Sequence, residues 1–194
     1  MPILSITQIR DGFIHHQLQP IVGQPCYDSL RILKEQVNDN AGTVLSTGGN
    51  GLTGCLRVVL TPAEYAVVSA TPFAVPAHPG AAPVFPDPST AAKREDIRFE
   101  HNTDLKHFTE YNLTDAAIKA QIIAAVEPQY IAALRLPTTN FITCTSIDFL
   151  TYLFATYAVI GPGNSCRILS TCRSSTLASN PLLPFGPKST QRST

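Results

Sequence analysis

The sequence predicts a mainly α protein: a small helical bundle or hairpin core, with an extended N-terminal arm, a proline-rich arm and a disordered C-terminal tail. Three observations predict it. Apolar residues recur at three- and four-residue steps in several separate stretches, the period of one helix face. Residues 61–64 read Thr-Pro-Ala-Glu, a strong helix start. Residues 71–88 hold six prolines, which remove backbone donors and leave neither a helix nor a central strand.

Residues 1–26 alternate apolar positions (Ile3, Ile6, Ile9, Phe13) with turn formers and read as an extended arm. Residues 27–70 read as a helical or mixed part. There Leu30, Leu33 and Val37 share helical spacing, with Pro25 before them and Gly42 after as start and stop. Residues 47–51, Thr-Gly-Gly-Asn-Gly, read as a flexible loop. Residues 56–60 are an apolar run of either type. Next, Thr61 can accept from the amide three residues on, Pro62 sits where a missing N–H costs nothing, and Glu64 completes the capping box. That helix is expected to reach about Ala70.

Residues 71–88 read as a polyproline-like arm lying on a surface. Residues 89–160 read as the helical core. Ile97, Leu105 and Phe108 punctuate a charged stretch, and Ile118, Ile122, Ala125 and Val126 follow in cleaner phase. Pro128 predicts a break and Pro137 a stop. In the last helix Ile147, Leu150, Phe154 and Tyr157 form the expected core stripe.

Residues 161–194 are rich in Ser, Thr and Pro and show no sustained periodicity, the composition of a disordered tail. They carry Arg167, Arg173, Lys188 and Arg192 and no acid, so with a total formal charge of zero the remainder is at −4. Such a tail could hold RNA weakly through phosphates.

Charged residues make up 14% of the 194-residue chain, against about a quarter in ordinary domains. Low charge density favours self-association. The five cysteines include no C-x-x-C pair. No secretory signal is expected, because the apolar start is short and lacks a charged n-region. Reduced thiols in a cytoplasmic, or nuclear, protein are therefore expected. No run approaches the ~20 apolar residues of a membrane span.

The chemistry-bearing patterns are weak. Gly48–Gly54 lacks the Lys and Ser/Thr a phosphate loop needs, since Cys55 and Leu56 follow. The adjacent His15 and His16 point apart, and His101 and His107 miss the i, i+4 spacing of a helical metal site. Glu95, Asp96, Glu100 and Asp104 are interleaved with Lys93, Arg94 and Arg98, which reads as a salt-bridged solvent face. Asn112-Leu113-Thr114 is a formal glycosylation sequon without a secretory context. No catalytic, metal or cofactor-binding residue is assigned, and no small-molecule substrate is expected.

Three stretches carry a family resemblance. One is Leu60-Thr61-Pro62-Ala63-Glu64-Tyr65 with Ala70-Thr71-Pro72-Phe73 and Pro76-Ala77-His78-Pro79-Gly80. The second and most specific spans residues 117–135, with Lys119, Gln121, Ile122, Ala125, Val126, Tyr130, Ala133, Leu134 and Arg135 in order. The third is Ile147, Leu150, Leu153, Thr156 and Tyr157. In this order and spacing residues 27–157 resemble the Gag region of copia-type LTR retrotransposons. The resemblance implies a structural, capsid-like protein that packs against copies of itself around element RNA. It offers no catalytic residue to carry over. Two departures stand out. Ala158 follows Tyr157 where the family has glycine, and Gly161-Pro162-Gly163 opens the tail where the family continues in helices. The zinc knuckle of some Gag proteins has no counterpart. The expectation is thus a degenerate Gag-like fragment that self-associates, with a tail translated out of frame or mis-spliced. The competing expectation is a helical protein-interaction module with a proline-rich ligand arm.

Overall fold

A computed structural model describes residues 5–158; the expectations for residues 161–194 lie outside them. Among the described residues six α-helices follow in order: α1 Ile6–Asp11, α2 Tyr27–Thr43, α3 Pro62–Val68, α4 Ala91–Ala125, α5 Pro128–Ile131 and α6 Ser146–Tyr157. Two 3-10 turns, Leu56–Val58 and Ala132–Leu134, complete the regular structure. There is no strand among the described residues, only two isolated bridges. The mainly α class is as the sequence predicts.

Local chemistry accounts for most helix starts. Thr61 accepts from the Glu64 amide, and the Glu64 side chain accepts in return from the Thr61 amide. Thr145 and Asp148 repeat this arrangement at α6, and Ser5 and Gln8 at α1. Thr90 caps α4 by accepting from the Lys93 amide. The α4 helix ends at Val126 because Pro128 disfavours helical backbone in the residue before it, and Glu127 is accordingly extended. Pro128 then begins α5, where its absent N–H has no helical partner to lose.

The core lies between α2, the C-terminal part of α4, and α6. Leu30, Leu33 and Val37 of α2 are buried as expected, against Ala117, Ile118, Ile122 and Ala125 of α4 and Phe149, Leu150 and Leu153 of α6. Tyr65 from α3, Val58 from the first 3-10 turn and Val59 just after it close one side. The uncertain run at residues 56–60 is therefore a 3-10 turn leading into α3.

Two expectations are corrected. Residues 5–26 do not form a simple extended arm. The Ser5/Gln8 capping box starts a short helix, and Ile9, Phe13, Leu18 and Ile21 are all buried in the core. The alternation seen at Ile3, Ile6 and Ile9 fits a turn of helix as well as a strand, and the missed cap decides between them. The second correction concerns α6, whose buried face is Ser146, Phe149, Leu150 and Leu153. Ile147, Phe154 and Tyr157 are only half-buried. The whole of α6 is apolar enough to present two candidate stripes. Its rotation is fixed where Ser146 donates its amide to Asp115 Oδ1 (2.9 Å) and its hydroxyl to the Asp115 carbonyl (3.1 Å).

Candidate functional site

Three places on the described surface have enough organisation to be weighed as functional. The first is the N-terminal anchor. Gln121 of α4 is buried and donates through Nε2 to the carbonyls of His15 (2.8 Å) and His16 (3.1 Å). Asn40 of α2, fully buried, donates to Gln121 Oε1 (2.9 Å) and to the His15 carbonyl (2.8 Å), and accepts from the His15 amide (2.8 Å). Further along, the Ile21 amide donates to the Ala125 carbonyl (2.8 Å) and the Gly23 amide to Glu127 (2.8 Å). Apart from the Glu127 carboxylate, which accepts from a backbone amide, every polar partner is backbone or side-chain amide, a set that fastens chain segments. The His15 imidazole instead bonds Asp39 at 3.0 Å near the surface.

The second place is the proline-rich arm. Phe73 sits between Tyr65, edge-on at 5.5 Å, and Tyr111, tilted at 5.9 Å. His78 packs edge-on against Phe108 at 5.0 Å, and the Arg98 guanidinium lies 4.9 Å from the Phe85 ring. The arm thus runs back along α4 from Tyr111 to Arg98, about 20 Å at helical rise. Phe73, Pro76 and Pro79 are half-buried while the residues between them are exposed, the three-residue period of a polyproline-type chain on a surface.

The glycine-rich loop holds the start of this arm in place. The Gly48 carbonyl accepts from the Ala74 amide at 2.5 Å. A Cβ on Gly48 would meet the Phe73 ring at 2.5 Å, and one on Gly49 would collide with the Tyr65 hydroxyl. These glycines admit aromatic rings at close range, so they answer a packing need and not a phosphate.

The third place is the N-terminal two-thirds of α4. The helix has 35 residues, about 52 Å. None of residues 91–113 is buried. Glu95, Asp96, Glu100 and Asp104 are exposed, as expected of a solvent face, with loose pairs Glu95–Arg98 (3.9 Å) and Lys106–Glu110 (3.7 Å). Phe99 is 66% exposed in their midst. The sequon falls inside this helix, where Asn112 Nδ2 donates to the Phe108 carbonyl (2.8 Å) and Thr114 is buried.

Catalytic arrangements are sparse among the described residues. No group of three His, Cys, Asp or Glu could hold a metal ion. His101 and His107 stand half-buried at separate points of α4. Cys55 is buried and burial pushes its thiol pKa up, opposite to what an activated nucleophile needs. Cys144 is a free thiol directed at the Leu134 carbonyl (3.5 Å). A depression of about 430 Å³ lies between Ile14, Asn38, Asp39, Thr43, Leu56 and Val68 and gathers one carboxylate. No helix is long and apolar enough to cross a membrane among the described residues. No family model, curated protein or solved structure matches this chain.

Proposed function

We propose that this chain is a structural protein of the capsid type, a Gag-like protein that acts by associating with copies of itself and carries out no reaction. The observation that carries the reading is the contrast within α4. Its C-terminal third is the centre of the core, while residues 91–113 contribute no buried side chain and expose Phe99. An isolated helix gains little from propensity alone, and a long exposed one bearing an aromatic suits docking. The low charge content supports the same reading, as does the sequence resemblance over residues 117–135. Shell building relies on several modest contacts acting together, so no single deep interface is required.

The competing module reading needs a proline arm free to enter an aromatic groove. Pro76 and Pro79 are half-buried, and Phe73, His78 and Phe85 hold the arm by ring contacts, which favours a bracing role. Static light scattering over a concentration series tests the proposal. Mass rising with concentration is expected; a strictly monomeric chain at the highest concentration refutes it.

A further inference from the structure

The exposed part of α4 carries a stripe that is complementary to itself. Ala92, Glu95, Phe99, Asn102, Lys106 and Thr109 follow at steps of three, four, three, four and three, the spacing of a helix–helix seam. Glu95, Phe99, Asn102 and Lys106 are exposed, with Glu95 and Lys106 side chains 77% and 55% accessible. The stripe borders the arm at Arg98, which pairs with Glu95 and packs on the Phe85 ring, while Phe108 under the arm lies on the opposite side of the helix from Phe99.

We infer that this seam pairs antiparallel with the same seam of a second copy. This inference rests on the self-association proposed above and names its surface. A two-fold axis between residues 100 and 101 places Glu95 opposite the second copy's Lys106, and Lys106 opposite its Glu95. The same axis sets Phe99 beside Asn102 and Ala92 beside Thr109. The two Phe99 rings then lie about 4.5 Å apart along the axis at 1.5 Å rise per residue, within stacking range. A parallel pair would instead set Glu95 on Glu95 and Lys106 on Lys106, which repels. The present partners of these charges, exposed Arg98 and half-buried Glu110, are held at only 3.9 and 3.7 Å. Exposed pairs of that kind are weak, so both charges are available to re-pair. One helix pair of this length makes a small interface, hence a weak contact suited to repeated use.

Sedimentation equilibrium of the full chain tests the seam with four variants: Phe99→Glu, Glu95→Lys, Lys106→Glu and the double swap Glu95→Lys/Lys106→Glu. All four alter exposed positions, and circular dichroism checks that helix content is retained. Phe99→Glu should raise the dimer Kd at least about tenfold. Each single charge reversal should raise it several-fold, and the double swap, which restores opposite charges across the axis, should return it to within about threefold of wild type. If wild type associates but Phe99→Glu does so equally well, or the double swap is no better than the singles, the seam is wrong while self-association stands. A wild-type chain that never associates overturns both.

Discussion

Replacing Gln121 with leucine should loosen the N-terminal segment without disturbing α4 itself. Leucine has similar bulk and favours helix, so the loss is in hydrogen bonding. The His16 carbonyl loses its Gln121 donor, and one of the two Asn40 Nδ2 bonds disappears, while the Asn40–His15 bonds remain. A buried polar group left unpaired costs about 1–3 kcal/mol. Two of them amount to roughly 2–6 kcal/mol, or roughly 4–24 °C in Tm for a domain of this size. The assay is urea and thermal unfolding of Gln121→Leu, Asn40→Ala and the double variant. Because the two side chains touch, the cycle should show a coupling of about 1 kcal/mol or more. Removing residues 1–22 is the stronger perturbation. It strips Ile9, Phe13, Leu18 and Ile21 from the core, at about 1.5–3 kcal/mol each, a total comparable with the whole stability of a domain. Small, additive effects of the point variants together with a deleted chain that melts like wild type would refute the anchoring argument.

The rotation of α6 predicts that Phe149→Ala costs about 3–5 kcal/mol, whereas Ile147→Ala costs less than about 1.5 kcal/mol; chemical denaturation that ranks them in reverse restores the stripe expected from sequence. Glu64 predicts a pH dependence. Burial pushes its pKa up, but hydrogen bonds from Lys34 and from the Thr61 amide and hydroxyl outweigh this and the net shift is downward. With the folded pKa below the unfolded one, its contribution is present at neutral pH and lost as pH falls through the folded value. The stability gap between wild type and Glu64→Gln should therefore close in acid, and a gap of constant size at all pH would assign the effect to packing.

What could be read from sequence was the chemistry confined to neighbouring residues. The Thr61/Pro62/Glu64 start, the break at Pro128, the Leu30/Leu33/Val37 face and the irregular course of the proline arm each depend on a few adjacent positions, and α3 and α2 form as their spacing indicates. The Ser5/Gln8 box was equally local and would have revealed α1. The arm's place on α4 was not legible, because the rings that hold it, Phe73 with Tyr111 and His78 with Phe108, lie roughly thirty to forty positions apart.

The sequence by itself determined the mainly α class, the start of α3 and the break at Pro128, because capping, proline geometry and 3.6-residue periodicity act within one or two turns. Only the tertiary structure decided which side of the largely apolar α6 helix is buried, and that an apparent arm belongs to the core. In α6 both Ile147 and Phe149 are large and apolar, and hydropathy cannot choose between them; the Ser146–Asp115 hydrogen bonds do. For residues 5–21 the deciding partners are Asn40 and Gln121. Each is a polar residue that would ordinarily be read as surface, and each is buried because the backbone of a distant segment satisfies it.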